Sequence, residues 1–430
     1  MARFDPSGPL RGTLRPPADK SVSHRAALIA AMGEEKTTID GYLDSADTRS
    51  TLAAVAALGA EVDGVTEAEV APTIHIRGVG LRGAAPANID VGNAGTLMRL
   101  LPGWLAGQET GAWMLDGDDS IRARPVDRVA EPLRLMGARL RCREDRLPPL
   151  EIEGTPLHGI EYELPVASAQ VKSCLLFAGL LAEGDTRVIE PLPTRDHTER
   201  MLAAAGAEIG RSGDAVAVRP AERLEPAAIV VPADFSSAAF FTVAALLVPG
   251  SEVTLSDVGL NPTRTGLLAI LGRMGAAIEV EPEGERGGEP IGRVRIRPSE
   301  LRGAEVGGAD VPLAIDELPL VALAACFAEG TTTIRDAAEL RRKESDRVAT
   351  VTEALAALGG KIEATEDGMR IEGGGGLRGG AIRSHGDHRI AMLGAIAGLA
   401  SREGVEVEGM DAAAVSYPGF EGDLASLLNG

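Results

Sequence analysis

Apolar helical runs recur along this chain and alternate with short strand-like segments. A glycine followed by alanine or glycine closes an amphipathic run at Gly59-Ala60, Gly137-Ala138, Gly206-Ala207, Gly275-Ala276 and Gly359-Gly360, at spacings of 78, 69, 69 and 84 residues. Before the last pair, Val348, Val351, Leu355 and Leu358 fall at i, i+3, i+7 and i+10, one face of a helix. Glycine at that point supplies the left-handed residue that ends a helix. Short alternating strands follow each pair, at residues 61–63, 139–141, 208–209, 277–280 and 361–363. Second strands follow at 73–77, 150–153, 215–219, 293–297 and 369–372. A different kind of helix is apolar nearly all round: residues 26–31, 97–101, 174–181, 238–247, 318–326 and 390–399. Helices of that kind are buried, whereas the one-striped kind covers a surface. Each unit therefore reads strand–helix–strand–helix–strand, in six copies. The sixth is cut short at Gly430, and residues 11–16 read as its missing strand, so that the chain ends meet. The fold class is α/β, six similar units grouped three and three.

Composition narrows the function. A chain of 430 residues predicts two or three domains, and 44% hydrophobic residues suffice for a core in each. Lys and Arg number 43 against 63 Asp and Glu, a net charge of −20, so there is no basic surplus to neutralise nucleic-acid phosphates. With 3% aromatics, base-stacking platforms are excluded as well. Cys142, Cys174 and Cys326 are sparse and odd in number, which reads as reduced thiols in a cytoplasm. The first residues lack an apolar signal segment, and no apolar run approaches the ~20 residues of a bilayer span.

Two matches to G-x-G-x-x-G, Gly78 to Gly83 and Gly374 to Gly379, occupy the same point of the repeat and are not followed by a helix. They read as turns rather than dinucleotide sites. The stronger signal lies where the buried helices begin: Asp19-Lys20-Ser21-Val22-Ser23-His24-Arg25, Gly92-Asn93-Ala94-Gly95-Thr96, Ser168-Ala169-Gln170-Val171-Lys172, Asp234-Phe235-Ser236-Ser237, Asp316-Glu317 and Gly386-Asp387-His388-Arg389. Polar caps at helix starts are ordinary. Lys20, Arg25, Lys172 and Arg389 in the first two turns, with Arg99 one turn into another, oppose the helix dipole. They make sense if anions bind there. Further cations cluster at Arg122-Ala123-Arg124-Pro125, where proline suits a first helical position, at Arg195-Asp196-His197-Thr198-Glu199-Arg200, and at Arg341-Arg342-Lys343-Glu344-Ser345-Asp346-Arg347. Each alone reads equally as a solvated charge run. His385 and His388 flank Asp387 without a further ligand motif, so no metal is expected.

These motifs resemble, in order and over the whole chain, the 3-phosphoshikimate 1-carboxyvinyltransferase (EPSP synthase) family of enolpyruvyl transferases. The pieces that carry the resemblance are Asp19 to Arg25, Gly92 to Arg99, Arg122 to Pro125, Ser168 to Ser173, Arg342 to Arg347 and Asp387 to Met392. The resemblance implies two domains, each of three βαβαββ units around buried parallel helices. One would combine residues 1–19 with 233–430, the other would hold 20–232, and ligands from both would close on an active site in the cleft between them. It implies transfer of the enolpyruvyl group of phosphoenolpyruvate to the 5-hydroxyl of shikimate 3-phosphate, with release of phosphate, in the shikimate pathway to aromatic amino acids. No cofactor is implied. The chain would be a monomer in the cytoplasm, without nucleic-acid or membrane partners, and glyphosate would inhibit it.

Carried over by position, Lys20 touches both substrates. Ser21, Arg25, Ser168, Ala169 and Lys343 hold shikimate 3-phosphate, with Arg195 on its phosphate and Gln170 between the substrates. Gly95, Arg124, Arg347 and Arg389 form the phosphoenolpyruvate pocket, and Asn93 shapes its loop. Asp316, read as a helix cap held ionised, is the base for the 5-hydroxyl, and Glu344 or Lys20 handles the proton at C3. His388 orients groups in the cleft. The chain departs from some members near its end, where Val415-Ser416 rather than a lysine precedes Tyr417-Pro418. Two rivals stand beside this reading. The UDP-N-acetylglucosamine enolpyruvyl transferase family has Lys-Asn in place of Lys20-Ser21 and a loop cysteine, whereas Cys142 follows Gly137 in a strand pattern. A non-catalytic scaffold for anionic metabolites would bind without turnover.

Overall fold

The computed structural model of the chain describes residues 1–64, 72–226 and 228–429. The chain forms two compact units, each with its own hydrophobic core. The terminal unit comprises residues 1–17, 233–284 and 290–430, and the central unit residues 18–232 with the hairpin tip 285–289. The boundaries fall at Pro17/Ala18 and Pro232/Ala233, because Ala18 is buried in the central core and Asp19 caps a central helix.

One strand order repeats. Ala87–Asp90 runs parallel to Ala112–Asp116, which pairs antiparallel with Leu147–Glu153, which pairs antiparallel with Arg139–Arg143. Helix Gly95–Ala106 joins the two parallel strands, and helix Asp127–Leu135 leads into the antiparallel pair. The same order recurs around Ala169–Gly179, with strands Glu161–Glu163, Thr186–Ile189, Ile209–Ser212 and Ala215–Val218. It recurs again around Leu318–Phe327, with Glu305–Val306, Thr331–Ile334, Lys361–Ala364 and Met369–Glu372.

Three further sheets borrow a strand from elsewhere in the chain. Arg11–Leu14 does not complete the sixth unit. It lies parallel to Glu252–Gly259, and the strand that completes the sixth unit is Ala2–Phe4, antiparallel to Val405–Glu408. The reason is an exchange at the two unit boundaries. Ile229–Val230, which precedes helix Phe235–Leu247 in sequence, pairs instead with Lys36–Asp40 in the central unit. The parallel position beside Glu252–Gly259 is thereby left for Arg11–Leu14. The backbone marks the exchange twice: the Asp19 N–H donates to the Pro232 carbonyl and the Asp234 N–H to the Pro17 carbonyl, both at 2.8 Å.

The punctuating glycines act as their spacing predicts. Gly59, Gly137, Gly206, Gly275 and Gly359 all have φ between 90° and 103°. In each case the next N–H bonds back to the carbonyl five residues earlier, at 2.8–3.1 Å. Both G-x-G-x-x-G segments are turns packed against the end of a buried helix. The Val79 and Gly80 N–H groups bond the Ala31 and Gly33 carbonyls at 2.9 Å. A Cβ on Gly78 would come within 2.2–2.5 Å of three carbonyl oxygens. Pro125 is not a first helical position: Arg122 ends a short helix Asp119–Arg122, and the next helix opens at Asp127. Among the described residues, no helix is long and apolar enough to cross a membrane.

Two substitutions on open surface test the role of glycine. Gly206 has φ 90° and open space where a Cβ would stand, so Gly206→Ala costs about 1–2 kcal/mol through the backbone alone. Gly422 lies inside helix Phe420–Leu428 with equally open space, so Gly422→Ala stabilises by about 0.5–1 kcal/mol. Urea midpoints that move in the same direction for both would contradict this account.

Candidate active site

The central unit gathers its polar side chains at three helix starts. Asp19 caps helix Lys20–Met32 by accepting the Val22 N–H at 2.8 Å. Lys20 then points its ammonium at Asp47 Oδ2, 2.9 Å away in the first turn of helix Ala46–Ala57. His24, one turn on, is buried with Nδ1 2.6 Å from the Thr51 hydroxyl, and burial lowers its pKa to about 3, which keeps it neutral beside Lys20.

Arg25 is the most informative residue of this unit. Its side chain is buried, and its nitrogens donate to the Thr198 hydroxyl at 2.7 Å, the Ser21 carbonyl at 2.9 Å and the Ser173 hydroxyl at 3.1 Å. All three partners are neutral, and among the described residues no ion pair accompanies them. Burial first and the nearby Arg195 second lower its pKa to about 10, so it stays charged. Glu199, Asp19 and Glu289 act on it in the opposite sense without a direct ion pair, and a buried cation hydrogen-bonded to neutral dipoles is chemically able to accept an anion.

Ser168 caps helix Ala169–Gly179, accepting the Val171 N–H at 3.4 Å. Gln170 ties that helix to the start of Gly95–Ala106: its amide donates to Thr96 at 3.2 Å and its carbonyl accepts from Arg99 at 2.9 Å. Helix Gly95–Ala106 has Ala94 at its cap position, which offers no side-chain acceptor to the first N–H groups. Beside it, Arg124 donates to Asn93 Oδ1 at 3.0 Å and Ser120 at 2.8 Å, while Asn93 donates to Asp118 at 2.7 Å. A Cβ on Gly95 would lie 3.2 Å from Arg124 Nη1 and 3.4 Å from Arg99 Nη1, so glycine keeps this helix start open beside two guanidinium groups. Lys172 departs from the sequence reading. It is fully buried and paired with Glu190 at 2.9 Å and Glu199 at 2.6 Å, so it meets carboxylates of the protein rather than an external anion.

In the terminal unit the cations are wrapped in carboxylates. Arg347, fully buried, donates to Asp387 Oδ2 at 2.8 Å, to Asp316 at 3.3 Å and to Glu344. Burial opposes its charge, but Asp387 and Glu344 outweigh burial and push its pKa up. Asp387 also caps helix His388–Ala400 through the Arg389 N–H at 2.9 Å and accepts from Ser345 at 2.9 Å. Burial would raise its pKa, yet the Arg347 guanidinium holds its carboxyl below the usual range. Asp316 is not a helix cap: Glu317 occupies that position ahead of Leu318–Phe327. Asp316 instead accepts from Lys343 at 3.1 Å and Arg347 at 3.3 Å, a carboxylate between two cations. Arg389 donates to the Asp316 carbonyl at 3.0 Å and lies 3.5 Å from Glu317. Glu317, wholly buried, also binds Arg264 at 3.1 Å and the Ser236 hydroxyl.

Each unit thus carries cations able to bind carboxylate and phosphate groups, and Lys20, Asp316 and Glu344 are groups able to pass protons. A family model described as EPSP synthase (3-phosphoshikimate 1-carboxyvinyltransferase) matches residues 4–424. The chain belongs to the EPSP synthase family. Among curated relatives, the 3-phosphoshikimate 1-carboxyvinyltransferase of Synechococcus sp. (strain JA-3-3Ab) is 49% identical over 99% of this chain and 96% of its own. That of Xanthomonas euvesicatoria pv. vesicatoria is 51% identical over 96% of this chain and 93% of its own. An EPSP synthase structure from Acinetobacter baumannii superposes with a TM-score of 0.87 at 43% identity, covering 99% of this chain and 97% of that one. The enolpyruvyl transferase NikO from Streptomyces tendae, at 18% identity and a TM-score of 0.79, shares the fold.

Several residues of this family member escaped the sequence reading. Asp47, Thr198 and Ser173 hold Lys20 and Arg25, and Arg264 and Glu317 brace Arg389. Their partners lie far away in sequence; Ser173, Thr198 and Glu317 stand in helix-start motifs and Asp47 in the first turn of a capped helix, but those local signals do not name the partner. Near the C-terminus, Met410–Val415 is a short helix, and Tyr417 is buried with its hydroxyl donating to Asp423 at 2.6 Å.

Asp387 gives a pH test with a definite sign. Its folded pKa lies below the unfolded value of about 3.9, so its stabilisation is complete above that value and is lost as pH falls below it. Asp387→Asn leaves Arg347 short of a counter-charge and costs about 3 kcal/mol at pH 7. The gap between wild type and variant in urea unfolding shrinks below about pH 4. A gap that stays constant to pH 3 would contradict the assignment.

Proposed function

We propose that this chain transfers the enolpyruvyl group of phosphoenolpyruvate to the 5-hydroxyl of shikimate 3-phosphate, releasing inorganic phosphate. The observation that carries the activity is identity near one half, over almost the whole chain, with 3-phosphoshikimate 1-carboxyvinyltransferases. The residue roles are those the family resemblance implies, and the geometry of each unit supports some of them. In the central unit, Arg25, Arg195, Ser21, Ser168, Ala169 and Gln170 take shikimate 3-phosphate. Arg25, a buried cation with neutral partners, supports that choice. Asn93, Gly95 and Arg124, beside a helix start without a side-chain cap, take phosphoenolpyruvate. In the terminal unit, Lys343 serves the first substrate, and Arg347 and Arg389 the second.

The chemistry then follows as addition and elimination. Asp316, kept between Lys343 and Arg347, takes the proton of the 5-hydroxyl as its oxygen bonds C2 of the enol. Lys20 or Glu344 delivers a proton to C3 in the same stage. The tetrahedral intermediate then loses a proton from C3, and the C2–O bond to phosphate breaks. Guanidinium and ammonium groups stabilise the charge that moves, so cations and carboxylates suffice without a metal or redox cofactor. In this reading the chain works as a monomer in the cytoplasm.

Phosphate release from the two substrates tests the reading, and a folded protein with none above blank would reject it. Asp316→Ala and Lys20→Ala each lower kcat by about 100-fold or more, as expected for loss of a proton-transfer group. Shikimate 3-phosphate binding without turnover, indifferent to both substitutions, would instead mark a binding scaffold. Gly95→Ala raises the glyphosate concentration for half-inhibition by about tenfold or more, because the added methyl enters the space beside Arg124 and Arg99. Weak inhibition of the unmodified enzyme, unchanged by Gly95→Ala, would remove glyphosate from the account.

A further inference from the structure

Outside the assigned ligands, a buried charge cluster centres on Lys172. Its ammonium, wholly inaccessible, lies 2.9 Å from Glu190 and 2.6 Å from Glu199. Glu190 also accepts from the Thr194 hydroxyl at 2.6 Å and pairs with Arg211. The three partners of this knot lie on separate pieces of chain. Lys172 is in the first turn of helix Ala169–Gly179, Glu199 in helix His197–Ala204, and Glu190 in the segment between strand Thr186–Ile189 and that helix. Each piece carries a residue assigned to shikimate 3-phosphate or its support. Ser168 and Gln170 precede Lys172, and Ser173 follows it. Thr198, next to Glu199, and Ser173 both bind Arg25 and contact each other at 2.7 Å. Arg195 follows Thr194.

We propose that Lys172 is a positioning residue for the phosphate subsite: it sets the distance between the two helix starts so that Thr198 and Ser173 together hold the Arg25 guanidinium. The proposal rests on the assignment of that subsite above. Without the ammonium, Glu190 and Glu199 lose the charge between them and repel each other. The start of His197–Ala204 then moves away from Ala169–Gly179, and Arg25 loses one of its two hydroxyl partners.

The test is steady-state kinetics of Lys172→Met, with direct calorimetric titration of shikimate 3-phosphate in the absence of phosphoenolpyruvate. The expected result is a KM for shikimate 3-phosphate raised about tenfold or more, with a matching loss in titrated affinity. The KM for phosphoenolpyruvate and kcat stay within about threefold. A purely structural role lowers the melting temperature but leaves this split absent in protein that is folded at the assay temperature. If Lys172→Met does not fold, Glu199→Gln is read in its place: it creates no repulsion but weakens the tie between Lys172 and helix His197–Ala204, and a rise of about threefold or more in the same KM is expected. Folded variants with unchanged KM and affinity for shikimate 3-phosphate overturn the proposal. Absence of turnover in the wild type overturns the activity itself, so the two failures are distinguishable.

Discussion

A helix that is apolar on every face has only its two ends to offer to anything polar, and this constraint organises the molecule. At the far end of Lys20–Met32, a glycine turn supplies the N–H groups that the last carbonyls need. At the near end, the first N–H groups must find side chains or ligands. Asp19, Ser168, Asp234 and Asp387 meet that demand at four such helices, while Gly95–Ala106 and Leu318–Phe327 begin without a side-chain cap. Polar chemistry therefore collects in the first turns, because the rest of each helix is committed to the core.

Arg25 and Arg347 are buried in opposite ways. In the central unit Arg25 is hydrogen-bonded to hydroxyls and a carbonyl, while the carboxylates of Glu199, Asp19 and Glu289 act on it without a direct ion pair. In the terminal unit Arg347 meets Asp387, Glu344 and Asp316, so the same guanidinium that is assigned to phosphoenolpyruvate also holds three carboxylates in place, one of them the proposed base. A net charge of −20 is compatible with anion chemistry on these terms. Attraction is exerted by a few desolvated guanidinium groups at short range, where local dielectric rather than total charge sets the strength.

Much of this was legible in the sequence. The five glycine stops, the all-apolar helices and the helix-start motifs are local features, and each acts through residues within one or two turns. The positions of Lys20, Arg25, Asn93, Gly95, Gln170 and Arg389 at helix starts followed from that grammar. Reading failed where a partner lay far along the chain. Lys172 shares the first turn with Gln170, yet helix rotation turns it into the core toward Glu190 and Glu199. Asp316 stands one residue ahead of the cap position, and its oxygen goes to Lys343 and Arg347.

The sequence by itself determined the repeat, the class of each helix and the residue types gathered at its start, because hydrophobic periodicity and backbone stereochemistry act over short stretches. Only the tertiary structure decided that Arg11–Leu14 pairs with Glu252–Gly259, Ile229–Val230 with Lys36–Asp40, and Ala2–Phe4 with Val405–Glu408. It also decided which cations face carboxylates and which face neutral dipoles. These pairings join segments up to some four hundred residues apart, and closing such loops costs chain entropy that no local pattern repays. They become favourable only once each core is assembled, so no short stretch of sequence carries their signature.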